Sequence, residues 1–399
     1  MRLVVQAAEV LGASRLIPIK SAHVDSCLYH GEATIDFAQR LVDGGAHVRV
    51  PTTLNVGAID QIHPELWHGS PDQAARGRLL MNRYRELGGR PTFTCAPYQL
   101  ADRPGFGDQV AWGESNAIVF CNSVLGARTE RYGDFTDIAC AIVGRVPDAG
   151  LHRTEARRAT LVIRLAADVP RVLREAHELF PVLGTALGRR AGPLVAALVG
   201  LPPGVDEDRL KALGAAAASS GGVAMVHVVG STPEAPTLEE ALGGGTPMAE
   251  LEIGMGELRA TRAGLTAGGE DSPLTAVSMG TPHASLAELR RIADAFGTRR
   301  VAGTVECLVS TGRDVLAAAE EQGVAARLRE AGVELLVDTC SYIAPILRSA
   351  GGPVMTDSGK WAYYAPGNIG ASVVLGSTAD CVRSAISGRV ERDASAWES

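Results

Sequence analysis

Residues 274–337 read LTAVSMGTPHASLAELRRIADAFGTRRVAGTVECLVSTGRDVLAAAEEQGVAARLREAGVELLV, and this stretch decides the fold class. Short apolar, β-branched runs at 274–278, 301–309 and 333–337 alternate with helical segments at 286–296 and 314–331. Strands that alternate with helices of this length imply right-handed crossovers and mainly parallel sheets covered by helices on both faces. Working backward, the alternation continues. Strands are expected at 15–20, 47–50, 92–95, 160–165, 194–199 and 223–229. Helices are expected at 33–43, 72–87, 116–125, 171–180 and 207–219, with Ser115 as N-cap and Gly126 as stop of the third. The class is α/β.

A chain of 399 residues is too long for one core. Turn residues and charge gather at 146–158, and STPEAPTLEE, GGGTP and GGEDSP make 230–273 the longest turn-rich stretch. These breaks divide the chain into expected lobes at 1–150, 151–245 and 246–399. A hydrophobic fraction of 46% with 21% charged residues supports a well-buried protein and argues against disorder. The net charge of -7 leaves no footprint for nucleic acid, and the scattered Arg-Arg pairs read as solvated helix faces. The opening MRLVVQAAEVLG reads as a helix ending at Gly12 and not as a signal peptide, because Gln6 and Glu9 interrupt the apolar run. No run reaches the roughly 18 apolar residues of a membrane span. A cytoplasmic protein is expected.

Polar residues are spent unevenly. The tract from Thr94 to Asp137 crowds Cys95, Tyr98, Glu114, Ser115, Asn116, Asn122, Ser123, Arg128 and Arg131 among glycines. In open α/β sheets ligands bind beyond the carboxyl ends of the strands. There the sequence places His23 and Asp25, then Thr52, Thr53 and Asn55, then Cys95, His283, Asp338 and Cys340, and finally Asp357, Ser358 and Lys360. Ser285 and Thr311 read as helix caps. His23 with Asp25 reads equally as a structural pair or as a metal or substrate contact.

Seven cysteines without a CxxC argue against a disulfide framework. Cys27, Cys121, Cys140 and Cys381 read as packing residues, whereas Cys95 and Cys340 sit at strand ends beside polar groups. The side taken by Cys307 depends on strand register. Arg128 and Arg131, in a Gly-rich loop after a helix, offer an anion clamp or else surface pairs with Glu130 or Asp134; Lys360 adds a point charge. No GxSxG elbow, Walker A motif or dinucleotide fingerprint in its proper context is present.

The blocks TCAPY, GESNAIVFCNSVLGART, LKALGAAAASSGGVAMVHVVG, GTPHASL, VDTC and TDSGKWAYYAPGN, in this order, resemble aconitase X, the divergent branch of the aconitase superfamily. The resemblance runs over nearly the whole chain and implies two to three aconitase-like α/β lobes around a central cleft. The family's small swivelling domain is absent from these residues. The resemblance therefore implies a small partner subunit that closes the site with a serine-bearing loop.

The family dehydrates small hydroxy acids: cis-3-hydroxy-L-proline in the bacterial type and mevalonate 5-phosphate in the archaeal type. Archaeal members carry cysteines in GCPH and CTS blocks. Here GTPH places Thr281, and STGR places Ser310, at those positions. Two thiolates fewer favour a single iron ion over an iron–sulfur cluster and the bacterial type over the archaeal one. The resemblance implies Cys95, Cys307 and Cys340 at the metal, with His23 and His283 as further candidates. It implies Ser115, Asn116, Lys360 and His23 as catalytic groups. Arg128, Arg131 and Lys360 would hold the carboxylate, with Asn55 and Ser123 orienting it. A phosphomevalonate-type large subunit is the alternative enzyme, and a non-catalytic ligand-binding subunit the alternative of another class.

Overall fold

Helix Leu286–Phe296 starts at a closed capping box: Ser285 Oγ accepts from the Glu288 amide at 3.1 Å, and the Glu288 carboxylate accepts from the Ser285 amide at 2.8 Å. Its buried side chains Leu289, Ile292, Ala293 and Phe296 recur at helical spacing and lie on one sheet. In the computed structural model, which describes residues 1–267, 269, 272–348 and 351–398, that sheet has five parallel strands. Their order is Glu334–Leu336, Glu306–Thr311, Ala276–Ala284, Pro353–Thr356, Ser372–Leu375. The chain begins in the centre, winds to one edge, and returns to wind to the other. The order reverses between Ala276–Ala284 and Pro353–Thr356, which opens a crevice at their carboxyl ends.

The N-terminal sheet repeats the plan on a smaller scale. Its three parallel strands run Thr52–Leu54, Ser21–Val24, Val110–Trp112, so its crevice lies beyond Val24 and Trp112. A third parallel sheet runs Val226–Val228, Ala196–Val199, Leu161–Leu165, Ala249–Ile253. Because Ala249–Ile253 pairs with Leu161–Leu165, the expected break at 245/246 falls too early and the middle lobe extends past it. Gly268, Glu270 and Asp271 of the expected GGEDSP turn lie outside the described residues.

Helices Leu179–Ala191 and Glu207–Gly221 of the middle lobe approach so closely that a Cβ at Gly221 would collide with the Gly188 carbonyl. Helix Glu207–Gly221 also packs against Ser115–Phe120 of the first lobe and Gly359–Ile369 of the third. It is a shared strut that fixes the two crevices relative to each other.

Some expected elements differ. Residues 47–50 are not a strand: the Val48 and Arg49 amides donate to Leu87 and Ala141 carbonyls, and pairing begins at Thr52. Residues 92–95 hang on the sheet edge through the Thr94 amide to Leu54 and Thr92 Oγ1 to the Leu54 backbone, with no ladder of their own. The long helix expected at 314–331 is two helices, Arg313–Glu321 and Val324–Glu330, broken where Gly323 takes φ 69°. The helix expected at 171–180 likewise ends at Glu175, and Leu179–Ala191 begins anew.

Candidate active site

The edge segment 92–95 of the first lobe, the end of strand Ala276–Ala284 and the loop after Glu334–Leu336 bring Cys95, His283 and Cys340 together. Their ligand atoms lie within 4.8 Å of one another, and all three residues are buried. His283 reaches this point because its strand bends: Gly280 takes φ 78°, and a Cβ there would collide with the Ser310 carbonyl. The His283 amide donates to Cys95 Sγ at 3.3 Å, and its carbonyl accepts from Gln99 Nε2 at 3.0 Å and Lys211 Nζ at 3.3 Å. Its ring lies 3.0 Å from Thr94 Oγ1 through Nδ1 and 3.2 Å from the Thr339 carbonyl through Nε2. The Cys340 loop is pinned from the first lobe. The Gly57 amide donates to the Asp338 carbonyl at 2.7 Å, and the Val337 amide to Asp60 at 2.9 Å. A two-pronged Arg313–Asp338 pair at 2.6 and 2.5 Å locks the remaining turn.

Burial works to raise the Cys95 thiol, but the hydrogen bond from Cys340 and the positive field of His283 and Lys360 outweigh it and bring Cys95 down to about 6. Cys340 moves the other way, because its hydrogen bond to Cys95 and its burial favour the thiol. One thiolate and one thiol thus share a proton that a metal ion would displace. Two sulfurs and an imidazole suit a borderline-soft transition metal, and three protein donors leave room for a substrate oxygen. The donor set fits a catalytic metal ion.

Beside this group lies a buried ion pair across the first and third lobes. Lys360, in the first turn of helix Gly359–Ile369, meets Glu114, and their side chains are 4% and 5% exposed. The Glu114 charge holds Lys360 well above its usual range despite the opposing effect of burial, so it stays protonated. Glu114 is also the N-cap of Ser115–Phe120, accepting from the Ala117 amide at 2.8 Å. This corrects the expectation that Ser115 caps that helix; Ser115 Oγ instead donates to Glu114 at 3.2 Å. Asn116 bonds Glu114, donates to the Cys95 carbonyl at 2.9 Å and accepts from Tyr98 Oη at 2.7 Å, so it sets the position of the Cys95 loop.

Other expected site residues fall elsewhere. Cys307 faces away from the group: it packs with Val277 and Val309 in the core of the third lobe, and burial pushes its thiol up to about 12. Alternation along the strand puts Leu308 and Ser310 on the opposite face. Ser123 Oγ accepts from the Val226 amide at 2.9 Å and serves to join the first and middle lobes. The guanidinium of Arg128 donates to the His152 carbonyl at 3.1 Å and that of Arg131 to the Val223 carbonyl at 3.3 Å, so each is anchored by one N–H to neighbouring backbone. Thr311 does not cap the following helix, whose N-cap is Gly312; its hydroxyl donates to the Ala284 carbonyl at 2.8 Å.

His23 is fully buried against Thr53 Oγ1 at 2.8 Å and edge-on to Trp112, and burial lowers it to about 3, so it is neutral. Asn55 donates to Asp25 at the end of the same sheet. Sequence reading passed over Gln99 and Lys211, which hold the His283 backbone. The signal for Lys211 was present, since it is a lone cation within the Ala-rich run LKALGAAAASS.

Models of the first, second and third domains of aconitase X match residues 1–155, 159–263 and 274–387 in turn. The chain belongs to the aconitase X family. The second-domain match agrees with the placement of Ala249–Ile253 in the middle lobe. Among relatives, this aconitase X chain is 41% identical to the cis-3-hydroxy-L-proline dehydratase of Pseudomonas aeruginosa, across 100% of its own residues and 68% of that protein. It is 35% identical to the phosphomevalonate dehydratase large subunit of Thermococcus kodakarensis, covering 91% of this chain and 89% of that subunit. The crystal structure of Thermococcus kodakaraensis aconitase X in its holo-form superimposes with a TM-score of 0.86 at 33% identity, covering 96% of this chain and 94% of that one. Among the described residues no helix is long and apolar enough to cross a membrane.

Proposed function

We propose that this chain is the large, catalytic part of an iron-dependent hydro-lyase that converts cis-3-hydroxy-L-proline to 1-pyrroline-2-carboxylate. The observation that carries the reading is the Cys95–His283–Cys340 group next to the buried Lys360–Glu114 pair. The 41% identity to the Pseudomonas aeruginosa enzyme supports the choice of substrate.

Cys95 and Cys340 are the proposed metal ligands, and His283 takes the place in that set expected of Cys307. Iron bound there supplies Lewis acidity toward a leaving hydroxyl. Lys360 holds the substrate carboxylate, and its positive charge stabilises the negative charge that builds when the C2 proton leaves. Glu114 keeps Lys360 protonated for that role, and Ser115 lies beside it to orient the same carboxylate. Lys360 therefore cannot serve as the base, and His23 is sealed behind Trp112 and Thr53. The proton is left to the serine-bearing loop of a small swivelling domain, carried by a partner subunit. Loss of water gives an enamine, which tautomerises to the cyclic imine.

The test is to co-express the chain with a small-domain subunit, assay cis-3-hydroxy-L-proline against mevalonate 5-phosphate, and measure metal in the same sample. Turnover of the imino acid with bound iron is expected. Turnover of the phosphate ester alone, or iron-free activity, overturns the reading.

A further inference from the structure

His283 stands on backbone that has left its sheet. Strands Ala276–Ala284 and Glu306–Thr311 pair in step as far as Met279 and Val309, and the next pairing joins Ala284 to Thr311, so residues 280–283 bulge from the ladder. Their peptide groups must then find partners outside it. The Thr281 carbonyl accepts from Ser358 Oγ, and the neighbouring Ala284 carbonyl from Thr311 Oγ1 at 2.8 Å, both within the third lobe. The His283 peptide is held from the other two lobes instead. Its amide donates to Cys95 Sγ at 3.3 Å, and its carbonyl accepts from Gln99 Nε2 at 3.0 Å and from Lys211 Nζ at 3.3 Å.

Lys211 lies on helix Glu207–Gly221 and borders an open groove of 760 Å³, yet its side chain is 3% exposed and its ammonium turns inward. An ammonium carries three donors. One goes to Glu288, while Asp208 lies 3.8 Å away and is shared with Arg291 at 2.9 Å. Another goes to the His283 carbonyl, a charge-assisted bond to the peptide that carries the imidazole. Glu288 in turn accepts from the Ser285 amide at 2.8 Å, and Ser285 Oγ donates to Asp208 at 3.1 Å. The network therefore grips the chain at His283 and again two residues later. Gln99 closes the turn Pro97–Gln99 just after Cys95, so the loop of one proposed metal ligand also holds the next.

We infer that Lys211, seconded by Gln99, is a positioning residue for the metal centre: its bond to the His283 carbonyl fixes the imidazole on backbone that no strand holds, and so sets how tightly the metal is bound. The inference rests on the Cys95–His283–Cys340 metal reading above and brings the middle lobe into that centre. Without Lys211, the His283 peptide is held by Gln99 and by a sulfur that is itself committed to the metal. A freer peptide lets the ring leave Cys95 and Cys340, which weakens the nitrogen donor and spares the sulfurs. The Lys211–Glu288 ion pair does not do this work alone, because it ties Lys211 to helix Leu286–Phe296 and not to the His283 carbonyl.

The test is titration of the assembled protein, stripped of metal, with cobalt(II), followed by visible absorption, in the parent and in Lys211→Met, Glu288→Gln and Gln99→Leu. Lys211→Met is expected to raise the cobalt dissociation constant at least about tenfold and to shift the ligand-field bands, the sign of a loosened nitrogen donor. Glu288→Gln breaks the same ion pair but leaves the carbonyl contact, and should stay within about twofold of the parent. Gln99→Leu disturbs no charge; it should raise the constant at least about threefold, and it decides the matter if Lys211→Met does not fold. With iron restored, Lys211→Met should lower kcat and leave KM for cis-3-hydroxy-L-proline within about twofold, because Lys211 acts through His283 and not on the substrate. Equal loss of cobalt in Lys211→Met and Glu288→Gln, or variants that bind it as the parent does, overturns the inference and leaves the metal reading standing. A parent that shows no cobalt–thiolate absorption overturns both.

Discussion

Replacing Lys360 by Met removes one charge of the Lys360–Glu114 pair while keeping the length of the side chain. Exposed ion pairs contribute about 0–1 kcal/mol, but these side chains are 4% and 5% exposed, which places them in the buried regime. Breaking one partner of such a pair costs about 3–5 kcal/mol, because the other charge stays behind without compensation. Glu114 keeps the Ala117 amide at 2.8 Å and the Ser115 hydroxyl at 3.2 Å, so the lower end, about 3 kcal/mol, applies. At roughly 2–4 °C per kcal/mol for a domain of the size of these lobes, Lys360→Met should lower the unfolding midpoint by about 6–12 °C. Glu114→Gln should cost a similar amount. The double variant should cost less than the sum, with a coupling of about 2–3 kcal/mol, since no charge is then stranded. Dehydration should fall about 100-fold or more in Lys360→Met, because the positive charge on the developing carbanion is gone. Thermal unfolding of the four proteins, with steady-state kinetics, reads all of this. Additive single effects, or a midpoint within about 2 °C of the parent, would refute the claim that the pair is a buried, coupled unit.

Other perturbations separate the site from its surroundings. Cys340→Ser and His283→Ala should each lower metal content in purified protein at least about tenfold, whereas Cys307→Ala should leave it unchanged and cost about 1 kcal/mol in stability; elemental analysis with a denaturation curve decides. Arg131→Ala, at an exposed side chain bonded to the Val223 carbonyl, should change KM by less than about twofold in steady-state assays. His23 carries a folded pKa of about 3 against an ordinary 6.5, so the unfolded chain binds the extra proton. Stability should therefore fall as pH drops through that window, and His23→Gln should flatten the loss in a pH series of unfolding midpoints.

Much of this was legible in the sequence for local reasons. Helix 286–296 was marked by its periodicity and by Ser285 in capping position, and the structure has both. Cys340 stood beyond a strand end beside polar residues, where parallel sheets gather their sites, whereas the strand expected before Cys95 is an edge segment without a ladder. Cys307 was misread because a single step of register exchanges the faces of a strand, and no residue nearby fixes that register. Arg128 and Arg131 have the composition of a clamp; only the fold shows that they reach backbone carbonyls of the lobes they join. The part played by Lys211 depends on a helix of the middle lobe meeting a strand end 72 residues further on, which no local pattern records. The break at 245/246 failed for a similar reason, since Gly and Pro mark a turn but not whether the next strand returns to the same sheet.

The most direct measurement of the central claim is formation of 1-pyrroline-2-carboxylate from cis-3-hydroxy-L-proline by the assembled protein, before and after removal of its metal and again after iron is restored. The account predicts activity that disappears on removal and returns with iron in the parent protein but not in Cys340→Ser. Activity that survives complete removal of the metal, or returns equally in Cys340→Ser, would contradict it.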